Sequence, residues 1–261
     1  MGALIIDNRL VHYEVIGHGE PVLLAHGWIG SWRYWVPTME ELSAQYRAYA
    51  VDLWGFGDSE KPGADYAIDD YTCLVSDFQS QLGMERLHFV GHALGGAVLL
   101  RYAAQFPERV RSVTIVGVPL DDAGLGRSFS GFDGTADTLS KLVARRAKFP
   151  EVEGEAGKAD VSAILASLQS VVPQTLRQDL DSLDVPTLLI YGASDPLVRP
   201  PNGNVVAKCE DRRRLFLLDR VQHFPMLERS NVFNRLLIDF LQCSGSLSGL
   251  CLKQEWQRRL R

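Results

Sequence analysis

No stretch of this 261-residue chain holds the ~20 consecutive apolar residues of a membrane-spanning helix. Its first residues, Met1–Ile6, are apolar but short, have no basic segment before them and run straight into polar sequence, so a signal peptide is not expected and a cytoplasmic location is. Cysteine is scarce: Cys73, Cys209, Cys243 and Cys251 form no C-x-x-C pair and have no histidine at metal-ligand spacing. Reduced thiols and no metal follow as expectations, and a Cys243–Cys251 disulfide would only staple a tail. There is no excess of positive charge either. A formal net charge of −5 gives no reason to expect nucleic acid or an anionic membrane as partner.

What is present is an ordinary globular composition, 46% hydrophobic and 23% charged, at a length that permits one large α/β domain. Leu4–Asp7 and Leu10–Val15 bracket Asp7-Asn8-Arg9, a hairpin signature. Pro21–His26, Tyr46–Asp52, Arg86–Gly91, Ser112–Val118, Pro186–Tyr191 and Arg214–Leu218 read as six more strands. Helices are predicted at Tyr34–Ala44, from Asp69-Asp70 to about Leu82, at Ala93–Gln105 and at Asn231–Leu241, with one more of unclear start before Arg214. This alternation predicts a mainly parallel eight-stranded sheet with helices on both faces. The rhythm breaks between Pro119 and Pro186. Residues 120–183, with helical patterns near 137–148 and 160–170, read as a helical cap inserted between core segments 1–119 and 184–242. Residues 243–261 lack core patterning and read as a mobile tail.

One atom is missing from an otherwise complete motif. Phe89-Val90-Gly91-His92-Ala93-Leu94-Gly95-Gly96-Ala97 has the strand, the flanking glycines and the helix of a G-x-S-x-G nucleophile elbow, but position 93 is alanine. A hydrolytic triad also needs a histidine base and an orienting carboxylate, in the chain order nucleophile, acid, histidine. Downstream of position 93 the only histidine is His223. The best acid is Asp195, four residues beyond Tyr191 at the end of its strand, with Asp121 and Asp122 as fallback and Asp219 too close in sequence to His223. His92 reads as a packing or hydrogen-bonding residue beside the elbow. Two backbone N–H groups should form the oxyanion hole: Leu94, at the start of a helix, and Trp28, in the loop His26-Gly27-Trp28-Ile29-Gly30.

His26-Gly27-Trp28, Asp52-Leu53-Trp54-Gly55-Phe56-Gly57-Asp58-Ser59, the elbow, Gly192-Ala193-Ser194-Asp195 and Gln222-His223-Phe224-Pro225 together resemble the α/β-hydrolase superfamily over residues 10–242. The chain looks most like its small capped esterases, including the pimeloyl-carrier-protein methyl ester esterases, although carbon–carbon hydrolases share much of the pattern. The resemblance implies an α/β-hydrolase fold and a cofactor-free carboxylic-ester hydrolase of Ser-His-Asp type. Alanine would then replace the nucleophilic serine, leaving a chain that binds substrate or product without turning it over. Two alternatives remain: a natural serine-less enzyme using His223–Asp195 as a base dyad, of the dioxygenase or lyase type, and a non-catalytic small-molecule binder. Gly27, Trp32 and Trp54 are candidates for lining the substrate pocket. Lys141, Arg145, Arg146 and Lys148 form a basic stretch that could dock an acyl-carrier protein, although residues 120–183 hold ten acidic against seven basic residues.

Overall fold

The computed structural model describes residues 2–120, 149–171, 173–202, 211–243, 247 and 250. Its framework is an eight-stranded sheet: β1 (Gly2–Ile6), β2 (Arg9–Gly17), β3 (Glu20–Ala25), β4 (Tyr46–Val51), β5 (Leu87–His92), β6 (Val110–Val116), β7 (Thr187–Gly192) and β8 (Arg213–Leu218). The spatial order is β1-β2-β4-β3-β5-β6-β7-β8. The first two strands pair antiparallel, and Asp7 and Asn8 between them take φ of 50° and 62°, the double positive φ of a tight hairpin turn. β2 runs antiparallel to β4, and from β4 onward every neighbour is parallel. The central strand β5, Leu-His-Phe-Val-Gly-His, is buried at every position, as expected for a parallel strand covered on both faces.

Helices cover this sheet where the chain crosses over it. After β3 the chain moves one way through α1 (Val36–Leu42) to β4, then reverses through α2 (Ile68–Gln81) to β5 and continues through α3 (Ala93–Gln105) to β6. Because parallel crossovers are right-handed, the reversal sends α1 to one face and α2 and α3 to the other. The same reversal opens a crevice at the carboxyl ends of β3 and β5, the place where open α/β sheets bind ligands. α1 begins two residues later than its periodicity predicts, because Trp32–Trp35 forms a 3₁₀ turn and Pro37 sits in the first turn of the helix proper. The other helices follow the sequence closely. α2 is started by Asp70, whose carboxylate accepts the Ala67 N–H at 2.8 Å, and α3 gives way to a 3₁₀ turn opened by Pro107.

Between β6 and β7 the described residues form no strand and three helices: α4 (Pro150–Ala156), α5 (Val161–Ser170) and α6 (Pro173–Ser182). α5 is fastened to the core loops. The Asp160 N–H donates to Gly55 O at 2.7 Å, Ser170 Oγ accepts from the Ile68 N–H at 3.0 Å, and the Trp28 indole donates to Ser167 Oγ at 2.9 Å. α6 packs on α3, where Arg101 Nε meets Asp179 Oδ2 at 2.6 Å. The last helices, α7 (Pro225–Glu228) and α8 (Ser230–Leu241), return to α1, and Thr38 Oγ1 donates to Asn234 Oδ1 at 2.8 Å. Among the described residues no helix is long and apolar enough to cross a membrane. Cys73 and Cys243 are free thiols, while Cys209 and Cys251 lie outside the described residues, as do the expected helix before Arg214, the pattern at 137–148 and the basic stretch Lys141, Arg145, Arg146 and Lys148.

Candidate active site

Each candidate residue follows the carboxyl end of a parallel strand. Gly27 and Trp28 follow β3, Ala93 follows β5, Asp195 follows β7 and His223 follows β8. Ala93 has φ of 45°, in the left-handed region that L-residues other than asparagine and aspartate rarely enter. The turn is held there by close approach. The Gly95 N–H donates to His26 O at 2.9 Å, and a Cβ on Gly95 would lie 2.5 Å from that oxygen, so only glycine lets β3 and the start of α3 come this near. Gly27 sits against the elbow: a Cβ there would lie 2.9 Å from the Ala93 Cβ. At the start of α3 the Leu94 N–H has no intrahelical acceptor, because the first four N–H groups of any helix have none.

Asp195 and His223 are 28 residues apart in sequence and meet because their loops are stitched together. The Ala193 N–H donates to Leu218 O and the Ser194 N–H to Val221 O, both at 2.9 Å. His223 Nδ1 then lies 2.8 Å from Asp195 Oδ2, and the other carboxylate oxygen accepts the Leu197 and Val198 N–H groups at 2.8 and 3.1 Å. The Asp195 side chain is almost fully buried, 1% exposed. A carboxylate that only accepts hydrogen bonds places the His223 proton on Nδ1 and leaves Nε2 with a lone pair, the form a general base needs. The fallback acids Asp121 and Asp122 lie outside the described residues, and Asp219 pairs at the surface with Arg220.

Three supports were not anticipated from sequence. Glu228, at the end of α7, accepts the Gln222 N–H at 2.6 Å and the Phe224 N–H at 2.9 Å, gripping the peptide on either side of His223. Gly117, just past β6, has φ of 59°, and a Cβ there would stand 3.4 Å from His223 Cε1 and 3.8 Å from Asp195 Oδ2. Its one visible signal is a glycine closing an apolar strand. The third support is Asp52, fully buried at the end of β4. Its Oδ1 accepts the Trp32 N–H at 2.7 Å, while Oδ2 accepts the Asp58 N–H at 2.9 Å and His12 Nδ1–H at 3.1 Å. That hydrogen bond raises the His12 pKa above its ordinary value. Nearby, His26 donates from Nδ1 to Gly27 O at 2.9 Å and accepts the Leu53 N–H on Nε2 at 3.0 Å. Burial lowers its pKa and keeps this imidazole neutral.

His12, Asp52 and Asp58 bring one potential metal-ligand atom each within 4.8 Å of one another, but these atoms are already engaged. Asp58 Oδ2 takes Arg33 at 2.9 Å and the Trp32 indole at 3.3 Å, so the cluster serves as a hydrogen-bond hub that ties the loop after β3 to the loop after β4. Of the predicted pocket residues, Gly27 lies at the elbow. The Trp32 indole is held by Asp58 with the Arg33 guanidinium 4.8 Å over its ring, and Trp54 is buried beneath Arg9. A cavity of about 620 Å³ lies at the opposite, amino-terminal edge of the parallel strands, between Glu20, His88, Arg111 and Asp184. Glu20 pairs there with Arg111 and Asp184 with Arg212.

Comparison with known proteins agrees with this fold. The sequence pattern of the alpha/beta hydrolase fold family matches residues 20–153. The 2-hydroxy-6-oxo-2,4-heptadienoate hydrolase of Pseudomonas putida is 26% identical over 259 residues, covering 87% of this chain and 90% of that protein. Lipase 1 of Psychrobacter immobilis is 25% identical over 234 residues, covering 80% and 73%. Among solved structures, the enol-lactonase from Burkholderia xenovorans LB400 superposes with a TM-score of 0.80 at 22% identity, over 93% of this chain and 100% of that one.

Proposed function

The chain belongs to the α/β-hydrolase fold family, and on that premise we propose that its site is organised for hydrolytic acyl transfer with position 93 as the point of attack. The observation that carries this reading is the His223–Asp195 pair at 2.8 Å, on the same sheet edge as an elbow whose residue 93 is held at positive φ. With a serine at 93, its Oγ would attack the substrate carbonyl while His223 Nε2 takes the hydroxyl proton. Asp195 steadies the imidazolium, and the Leu94 and Trp28 N–H groups receive the oxyanion. Collapse expels the leaving group, which takes the proton from His223. Water, deprotonated by the same imidazole, then releases the acid.

Alanine supplies no oxygen to attack with. Loss of the serine in another triad enzyme lowers kcat by roughly a millionfold, so the chain as it stands should bind without turning over. Carboxylic esters are the first substrate class, supported by the lipase relative. The second class is 2-hydroxy-6-oxo-dienoates, supported by the dienoate hydrolase relative.

The test is Ala93→Ser, assayed on short p-nitrophenyl esters and on a 2-hydroxy-6-oxo-dienoate. Hydrolysis of one class should rise at least about a thousandfold and fall again when His223→Ala is added. No gain on either would overturn the hydrolytic reading. A second reading draws on the intact dyad beside an alanine: His223 Nε2 as a base toward a substrate with an acidic proton. It predicts turnover by the chain as it stands, abolished by His223→Ala.

A further inference from the structure

His92 lies between Gly91 and Ala93 at the end of β5, 1% exposed, and the reaction outlined above does not use it. Both of its ring nitrogens are occupied. Nε2 is 2.9 Å from His223 O, and Nδ1 is 3.1 Å from the Tyr34 hydroxyl, which also accepts the Gly27 N–H. A carbonyl oxygen can only accept, so Nε2 carries the proton. In a neutral imidazole Nδ1 must then accept, and Tyr34 must donate to it. That leaves the Tyr34 oxygen lone pairs facing the Gly27 N–H. Every proton in the chain of bonds is thereby assigned: Gly27 N–H to Tyr34, Tyr34 O–H to His92 Nδ1, and His92 Nε2–H to His223 O.

This relay joins two loops that come from different strands. One end holds Gly27, immediately before the expected oxyanion donor Trp28, and the other holds the peptide of the base. The residue at its centre is the neighbour of position 93. The rings also pack: His92 and His223 centroids are 4.6 Å apart, and His92 and Phe224 centroids 5.2 Å. Burial first, and the neighbouring His223 second, push the His92 pKa well below its ordinary value, consistent with a ring that stays neutral and keeps its two roles distinct.

We propose that His92 is a positioning residue that, with Tyr34, holds the oxyanion loop and the base loop in register about position 93. The inference rests on the hydrolytic reading of the site, but its structural half can be read without turnover. Tyr34→Phe removes one oxygen and keeps the ring that packs on Trp35 and Phe224.

In the chain as it stands, histidine-selective ¹⁵N NMR at pH 7 should show His92 protonated on Nε2 and bare on Nδ1, and Tyr34→Phe should shift the downfield His223 Nδ1–H resonance. In the Ala93→Ser background, Tyr34→Phe and His92→Asn should each lower kcat about 10- to 100-fold, with KM changed less than about threefold, as expected when reacting groups are slightly misplaced. The double variant should cost no more than the worse single one, because the two act through one chain of bonds. A His92 ring protonated on Nδ1 overturns the proposal whatever the variants do. So does an unmoved His223 resonance in Tyr34→Phe, or a loss confined to KM. If Ala93→Ser is inert, the hydrolytic reading fails while the NMR still decides the relay.

Discussion

Ala93 keeps a backbone conformation that a side chain makes costly, although it brings no nucleophile to use there. Left-handed φ at a non-glycine residue costs on the order of 1–2 kcal/mol, and at 45° the residue lies in that region. Ala93→Gly should therefore stabilise the fold by about 1 kcal/mol, roughly 2–4 °C in Tm by calorimetry, despite the looser unfolded chain. A fall in Tm would mean that the turn is not strained. The same residue shows how far the sequence was readable at this scale. Gly91 and Gly95 marked the turn, and chain order singled out Asp195 and His223, which the structure brings to 2.8 Å of each other. Gly117, Glu228 and Tyr34 were not readable. Glu228 and Tyr34 act by accepting backbone N–H groups, and Gly117 by leaving room beside His223 and Asp195, and no residue type announces such contacts.

At the scale of elements, strands and long helices were legible because burial imposes a period on them. Strands such as β5, buried throughout, and helices such as α3, closed by Pro107, fall within a residue or two of their predicted bounds. The helices between β6 and β7 were harder. α4 buries only Val152 and Glu155 over seven residues and contains Gly154, and among the described side chains of α6 the buried ones are Leu176 and Leu180. What fixes α6 is a tertiary contact. Arg213 of β8, 2% exposed, donates to Leu180 O and Leu183 O at the end of that helix and to Asp181 Oδ1 at 3.2 Å. Arg213→Met keeps the bulk and leaves these acceptors without their donor. It should destabilise by about 2–4 kcal/mol, roughly 5–15 °C in Tm by thermal melting. A change under about 1 kcal/mol would show that the helix end is held otherwise.

For the whole molecule, the buried histidines make stability depend on pH. His26, His88 and His92 titrate below their ordinary value of 6.5, each chiefly because burial disfavours the charge. Below pH 6.5 the unfolded chain takes up their protons and the folded one does not, so this contribution is present above pH 6.5 and is lost as pH falls. His12, raised by its hydrogen bond to Asp52, acts in the opposite sense: its contribution is present below pH 6.5 and is lost as pH rises through its folded value. Three groups outweigh one. Urea unfolding should show stability dropping by about 1–3 kcal/mol from pH 7 to pH 5, and a flat or rising profile would contradict it.

The architecture at this scale was legible because alternating strands and helices permit few topologies, and the reversal at β3 places a site at the carboxyl ends of β3 and β5. The purpose of the alanine was not legible, since the fold is the same with or without one oxygen. The most direct measurement is therefore intact-protein mass spectrometry of the Ala93→Ser chain after reaction with an alkyl fluorophosphonate. A single phosphonyl adduct mapped to position 93, and lost when His223→Ala is added, is the predicted result. No adduct, or an adduct at another residue, would contradict the assignment of position 93 as the point of attack.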